Sequence, residues 1–189
     1  MDALSHYEFY ECGAVTCPVP AIDHIEPFIE NKVPDLWAYY CVSQAKEVSN
    51  RFHSMPSYRN RIIGLQFYKF NIVGFLHWGY NYYNNRYSYD AINPYLCTDG
   101  DYFAPSGDTF LVYPASDGTA LTSLRFEVLH EAFQDLRALL LCEKLCGREF
   151  VEKLIGDEFE ALTFKTYPRS AEFILSFREK VNQAIKNAI

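Results

Sequence analysis

Short apolar runs alternate with stretches of helical spacing through the first half of the chain, and the last third reads as helix throughout. Asp2 to His6 reads as the end of a strand. Cys17 to Ile25 is a second short strand, made irregular by Pro18 and Pro20. Glu26 to Asn31 fits a short helix, and Leu36 to Val42 is a ring-rich strand. Ser57 to Phe70 carries Ile62, Leu65, Gln66 and Lys69 at helical spacing, and Gly74 to Trp78 is the fourth strand. Strand, helix and strand at this pitch imply parallel pairing through crossovers, hence an α/β class.

From Asn84 to Gly107 the chain is rich in Tyr, Asn, Asp, Pro and Gly, the signature of a long ordered loop, which continues to 122 with Phe110 to Pro114 as a short extended piece inside it. Ser123 is placed to cap a long helix whose apolar stripe is Leu129, Ala132, Phe133, Leu136 and Leu140, and Gly147 stops it. A second helix follows near Arg148 to Ile155. A third starts at Ser170, with Phe173, Phe177, Val181 and Ile185 on one face.

Composition narrows the function classes. At 189 residues, with 49% hydrophobic and 22% charged, the chain has enough for one domain with a real core. A net charge of −7 argues against nucleic acid, whose phosphates demand a basic surface. No apolar run is long enough for a membrane span, and the first residues lack a signal-peptide pattern, so a cytoplasmic location is expected. Cys12, Cys17, Cys41, Cys97, Cys142 and Cys146 are irregularly spaced and read as free thiols.

Familiar catalytic signatures fail. His130-Glu131 opens a zinc-protease pattern, but Gln134 stands where the second His is required. Asp99-Gly100-Asp101 is too sparse for a calcium loop, and Cys12, Cys17 and His24 have atypical spacing for a metal. Neither a metal nor another cofactor is expected. The block Gly74 to Tyr83, GFLHWGYNYY, sets flat rings beside polar tips, the combination that grips a sugar and also one that fills a core.

The blocks LWAYYC, the helix with Arg61 and Gln66, GFLHWGYNYY, Gly107-Asp108, Phe110 to Pro114, Ser123 to Glu127, and Glu131 with Asp135 resemble, in that order, the C-terminal half of the glycoside hydrolase family 123 catalytic domain. The resemblance covers about Asp2 to Leu145. His77 departs from it where an aromatic is common, as do His130 and Ala132 where Arg and Gly are common. It implies the C-terminal half of a TIM-type (β/α)8 barrel, about four parallel strands followed by C-terminal helices. Residues 1–147 would then be a partial barrel with a long loop over 84–122 and a helix over 123–146, and 148–189 a helical extension.

The resemblance further implies a relative of substrate-assisted β-N-acetylhexosaminidases, in which an adjacent Asp-Glu pair orients the sugar's acetamide and protonates the leaving oxygen. Asp157-Glu158 is the one such pair here, and it falls among the C-terminal helices, beyond the matched blocks. The catalytic pair is therefore expected upstream of Met1 and the chain inactive alone. What remains is the wall of a sugar site at the strand ends: His6, Asp23, Tyr39, Tyr40, Trp78, Tyr80 and Asn81. In this reading Trp78 stacks on the sugar, Tyr39 bonds the acetamide carbonyl, and Asp23 and Asn81 take hydroxyls. Against it, Trp78 and Tyr39 also suit core packing, and His6 and Asp23 suit turns or caps. Period-two alternation sets Leu76 and Trp78 against Phe75 and His77, with the first pair expected toward the barrel axis. Arg125, Glu131 and Asp135 read as a structural ion-pair network.

Three functions stay open: a part-enzyme completed by an N-terminal half or by a second copy, a non-catalytic carbohydrate-binding or scaffold protein, and a decayed remnant. The expected partner is a carbohydrate such as an N-acetylhexosaminide, with no nucleic acid and no membrane. Two unpaired strand edges predict a weakly stable, dimeric or aggregation-prone chain.

Overall fold

A computed structural model describes residues 1–189. The elements run β1 (Asp2–Leu4), α1 (Glu8–Glu11), β2 (Pro18–Pro20), α2 (Glu26–Glu30), β3 (Trp37–Tyr40), α3 (Tyr58–Arg61), α4 (Ile63–Lys69), β4 (Gly74–His77), β5 (Val112–Pro114), β6 (Ala120–Thr122), α5 (Leu124–Cys146), α6 (Arg148–Glu158) and α7 (Ala171–Ala188). A single 3-10 turn, Arg86–Ser88, lies in the loop before β5.

The strands do not make half of a barrel. They form three separate two-stranded sheets: β1 with β2, parallel; β3 with β4, parallel; and β5 with β6, antiparallel. One isolated parallel bridge, Ala21 to Tyr39, joins the first two sheets. The prolines explain the break. The Ala21 amide donates to the Leu4 carbonyl, so odd positions of β2 face β1 and even positions face β3. Positions 18 and 20 are prolines with no N–H to give, and only Ile22 donates across, to the Tyr39 carbonyl at 3.0 Å. Phe110 to Pro114 is likewise not a lone extended piece but the first arm of a hairpin, with Tyr113 opposite Leu121.

Helical structure carries most of the packing. α5 is the spine. The Ser123 hydroxyl accepts from the Phe126 amide at 3.2 Å, and Gly147, at φ 88°, ends the helix in a conformation that favours glycine. The buried face is Leu129, Ala132, Asp135, Ala138, Leu139 and Cys142. Leu140, expected in the stripe, is 51% exposed, because the helix turns its inner face from the strands toward α6 and α7 along its length. The upper core gathers Ile22, Phe28, Ala38, Ile63 and Phe67 around α5, and the lower core gathers Val151, Ile155, Ile174, Phe177 and Val181. The Ser57 to Phe70 segment is two helices with a break at Ile62. α4 lies so close to α5 that a Cβ on Gly64 would sit 2.0 Å from the Ala132 carbonyl oxygen. Gly74 is equally tight, since its cross-strand partner Trp37 lays its ring where a Cβ would be.

No helix is long and apolar enough to cross a membrane.

Candidate functional site

Because β1 to β4 all run the same way, their carboxyl ends open on one side. There the chain leaves β1 through Ser5 and His6, β2 through Asp23 and His24, β3 through Cys41, and β4 through Trp78. Tyr39 is half-buried on this side. Burial pushes its phenol above the ordinary value, Cys41 and Asp23 add to the rise, and the adjacent Ser5 side chain opposes it. Asp23 accepts from Gln44 Nε2 at 2.9 Å, and Gln44 Oε1 accepts from the Cys41 amide at 2.9 Å. The His6 and His24 rings lie 6.4 Å apart at the rim, and His24 Nε2 is 3.8 Å from Asp23.

Behind this rim a buried polar network ties the loops together. Asn50 Nδ2 donates to the carbonyls of Cys41 and Gln44, both at 2.9 Å, and Asn50 Oδ1 accepts from the Arg51 amide and guanidinium. Arg51, 1% exposed, directs its terminal N–H groups also to Asp108 Oδ1 at 2.9 Å, the Asp108 carbonyl at 2.6 Å and the Trp78 carbonyl at 3.1 Å. Its guanidinium also lies 4.7 Å from the Tyr40 ring centroid. Trp78 Nε1 then donates to Asp108 Oδ2 at 3.1 Å. A charge pair this deep is tolerable only when its lone pairs and protons are met, and here most are, Arg51 Nε excepted. Burial still pushes the Asp108 carboxyl above the usual carboxylate range, against the pull of Arg51 and Trp78.

Asp23, Gln44, Asn50, Arg51, Asp108 and Trp78 are therefore one hydrogen-bonded chain running from β2 to β4. The predicted wall residues distribute around it. His6, Asp23 and Tyr39 gather at the rim. Trp78 joins Tyr82 and Phe103 in a three-ring cluster, with centroids 5.8 and 6.0 Å from its own. Tyr40 lies on the opposite face of β3, fully buried, donating to Asn60 Oδ1 at 3.1 Å with its pKa pushed up to about 12 by burial. Tyr80 is exposed on a different groove, of about 510 Å³, between β4 and α5, where it meets Phe126. Asn81 is exposed and bridges to Phe110 in the following loop. Leu76 is 40% exposed on the open face of β4, while Phe75 and His77 pack against Tyr40.

His77 is the oddity of this region. Neither ring nitrogen has a hydrogen-bond partner. Burial, with Arg51 nearby, lowers its pKa to about 3, and backbone groups of Trp78 and His77, too poorly aligned to count as hydrogen bonds, only soften that. Arg125 does not join the expected ion-pair network: it donates to the Gly107 carbonyl, and a Cβ on Gly107 would strike the His53 ring. Glu131 and Asp135 do pair, but with Arg61, and Asp135 pairs with Arg178 as well.

Sequence reasoning missed Gln44, Asn50 and Arg51. They sit in a loop of no motif, and Arg51 lies 57 positions from the Asp108 it serves, so nothing local marks them. Asp157 and Glu158 close α6 in the helical layer, where Glu158 pairs with Lys180. No group of three or more His, Cys, Asp or Glu side chains is arranged to hold a metal ion. What the strand ends present is chiefly rings, amides and hydroxyls, groups that bind polyols through neutral hydrogen bonds and apolar C–H contact.

Among curated proteins, none matches this sequence. Residues 1–142 match the family described as Glycoside hydrolase 123, catalytic domain. That stretch takes in the strands, the polar network and nearly all of α5, and by it the chain belongs to the glycoside hydrolase 123 catalytic-domain family.

Proposed function

We propose that the strand-end cluster binds an N-acetylhexosaminide and that the chain does not hydrolyse it unaided. The observation that carries this reading is the hydrogen-bonded chain from Asp23 to Trp78, which fixes polar groups and a ring on one side of the parallel strands. Tyr39 takes the acetamide carbonyl, Trp78 offers its ring to the sugar's C–H face, and His6 and Asp23 line the rim. Tyr80 and Asn81 extend the surface beyond Trp78. Tyr40 acts through Arg51, under whose guanidinium its ring lies.

Substrate-assisted hydrolysis needs one carboxylate for the acetamide and a second carboxylic acid for the leaving oxygen. Asp108 has a side chain with no exposure and is committed to Arg51 and Trp78. Asp23 is committed to Gln44, and Asp157 and Glu158 lie on α6. An acid pair from outside residues 1–189 would be needed for turnover.

Titration with N-acetylgalactosamine and N-acetylglucosamine, followed by tryptophan fluorescence, tests the binding half. A saturable change that Trp78→Phe weakens about tenfold is expected, a loss near 1.4 kcal/mol. Absence of any saturable change at millimolar sugar overturns it. An aryl N-acetylhexosaminide tests the other half: release of the aryl alcohol by the purified chain overturns the inactive reading.

A further inference from the structure

The loop after Asn81 and the β5–β6 hairpin build a second surface that the strand-end cluster does not use. Two open grooves, of about 410 and 670 Å³, lie there and share Pro94, Tyr95 and Leu121. Tyr95 and Leu121 are 54% and 50% exposed, so an apolar ridge stands in water between the grooves. Both are shallow and open, the shape of a surface platform and not of an enclosed pocket.

The ridge is held still. Tyr95 donates its hydroxyl to the Pro114 carbonyl at 2.8 Å, and its amide donates to Asn93 Oδ1 at 2.9 Å. Its ring meets Tyr113 at 5.2 Å between centroids, and Tyr113 rests on the buried Phe110 at 5.1 Å. A tethered aromatic face loses little entropy on binding, which makes it an efficient anchor.

The lining decides what kind of ligand fits. On a chain of net charge −7, no residue of either groove carries a formal charge. The polar side chains are Thr98, Thr122 and Tyr113 in one groove and Asn93 and Ser116 in the other, with the Thr98 hydroxyl bonded to Ser106 and Asn93 Oδ1 to the Tyr95 amide. Phosphates and metal ions find no counter-charge there, and a pure hydrocarbon would strand these polar groups. A neutral polyol matches both the rings and the hydroxyls.

We infer that the Tyr95 ridge is a second carbohydrate-binding platform, one that holds sugar units of a glycan longer than the unit at the strand ends. It rests on the carbohydrate reading of the protein but uses separate residues.

The probes are N-acetylglucosamine and its β-1,4-linked tetramer, titrated calorimetrically against the full chain. The tetramer is expected to bind about tenfold more tightly than the monomer. Tyr95→Ala and Leu121→Glu should each abolish that gain and leave monomer affinity unchanged, whereas Tyr95→Phe, which keeps the ring, should retain most of it. Leu121 is a solvent-facing hairpin residue, so its variant remains informative if Tyr95→Ala fails to fold. No gain for the tetramer overturns the platform, and so does a gain that survives both substitutions. Binding of a polyproline peptide at Tyr95, with no saccharide gain, overturns it in favour of a protein partner. Tetramer binding that depends on Tyr95, with neither N-acetylglucosamine nor N-acetylgalactosamine binding as monomer, upholds the platform and refutes the strand-end site. Monomer binding with no Tyr95-dependent gain does the reverse.

Discussion

Two carboxylates, each gripped by arginine, hold the two halves of this molecule, and they are built differently. Asp108 meets Arg51 with neither side chain exposed, inside a network that ends on Trp78. Asp135 sits on α5 between Arg61 and Arg178, at 2.7 and 2.6 Å, with each arginine partly in water at 18% and 28% exposure. The first pair orders loops, which have no ladder of their own to fix them. The second clasps α3 and α7 to a helix already anchored by its core. Full burial makes the first pair a point of failure, whereas water reaching the second softens any loss. The pair with no exposure on either side lies where the backbone is irregular, and the pair that water reaches lies on regular helices.

That contrast can be broken by substitution. Arg51→Leu leaves Asp108 buried without its cation and should cost about 3 to 5 kcal/mol in urea unfolding. The double variant Arg51→Leu/Asp108→Leu should recover part of that loss, because it removes the stranded charge. Equal losses in the single and double variants would mean that Arg51 matters through its packing on Tyr40. Asp135→Asn should cost less, about 1 to 2 kcal/mol, since its partners can turn to solvent. A loss matching that of Arg51→Leu would erase the distinction between the two pairs.

His77 sharpens it further, as a buried polar group beside the first network that no partner meets. Its folded pKa is lowered from 6.5 to about 3. Below pH 6.5 the unfolded chain therefore takes up a proton that the folded chain refuses, so this contribution to stability is complete above that pH and is lost as pH falls toward 3. His77→Phe, similar in size and free of polar atoms, should raise stability by about 1 kcal/mol at neutral pH. It should also flatten the acid loss. An unchanged acid profile would show that His77 is already protonated or solvated in the fold.

Legibility followed periodicity. α5 was readable to within a residue at both ends and α7 at its start, because Ser123 and Ser170 cap them and accept from the Phe126 and Phe173 amides nearby. The first four strands were found in outline, but β6 and the assembly of the sheets were not. A run of ring-bearing residues marks a strand, while the break between β2 and β3 hangs on which side two proline nitrogens face, a matter of register. The wall residues were legible as types only. Tyr39 and Tyr40 are adjacent in sequence, yet one lies at the rim and the other under Arg51, since neighbouring strand residues face opposite ways. Arg51 itself was invisible, because its partner Asp108 lies 57 positions away and nothing local announces a buried cation.

Gly64 has a consequence for any screen of random variants. Its nearest neighbours are backbone atoms of Ala132, so the smallest side chain there forces α4 and α5 apart. In a library sorted for sugar capture, position 64 will therefore be depleted as severely as position 51, and by every residue type alike. Such a column resembles a ligand-contact column. Counting folded molecules alongside captured ones separates the two, since a spacer glycine removes both together.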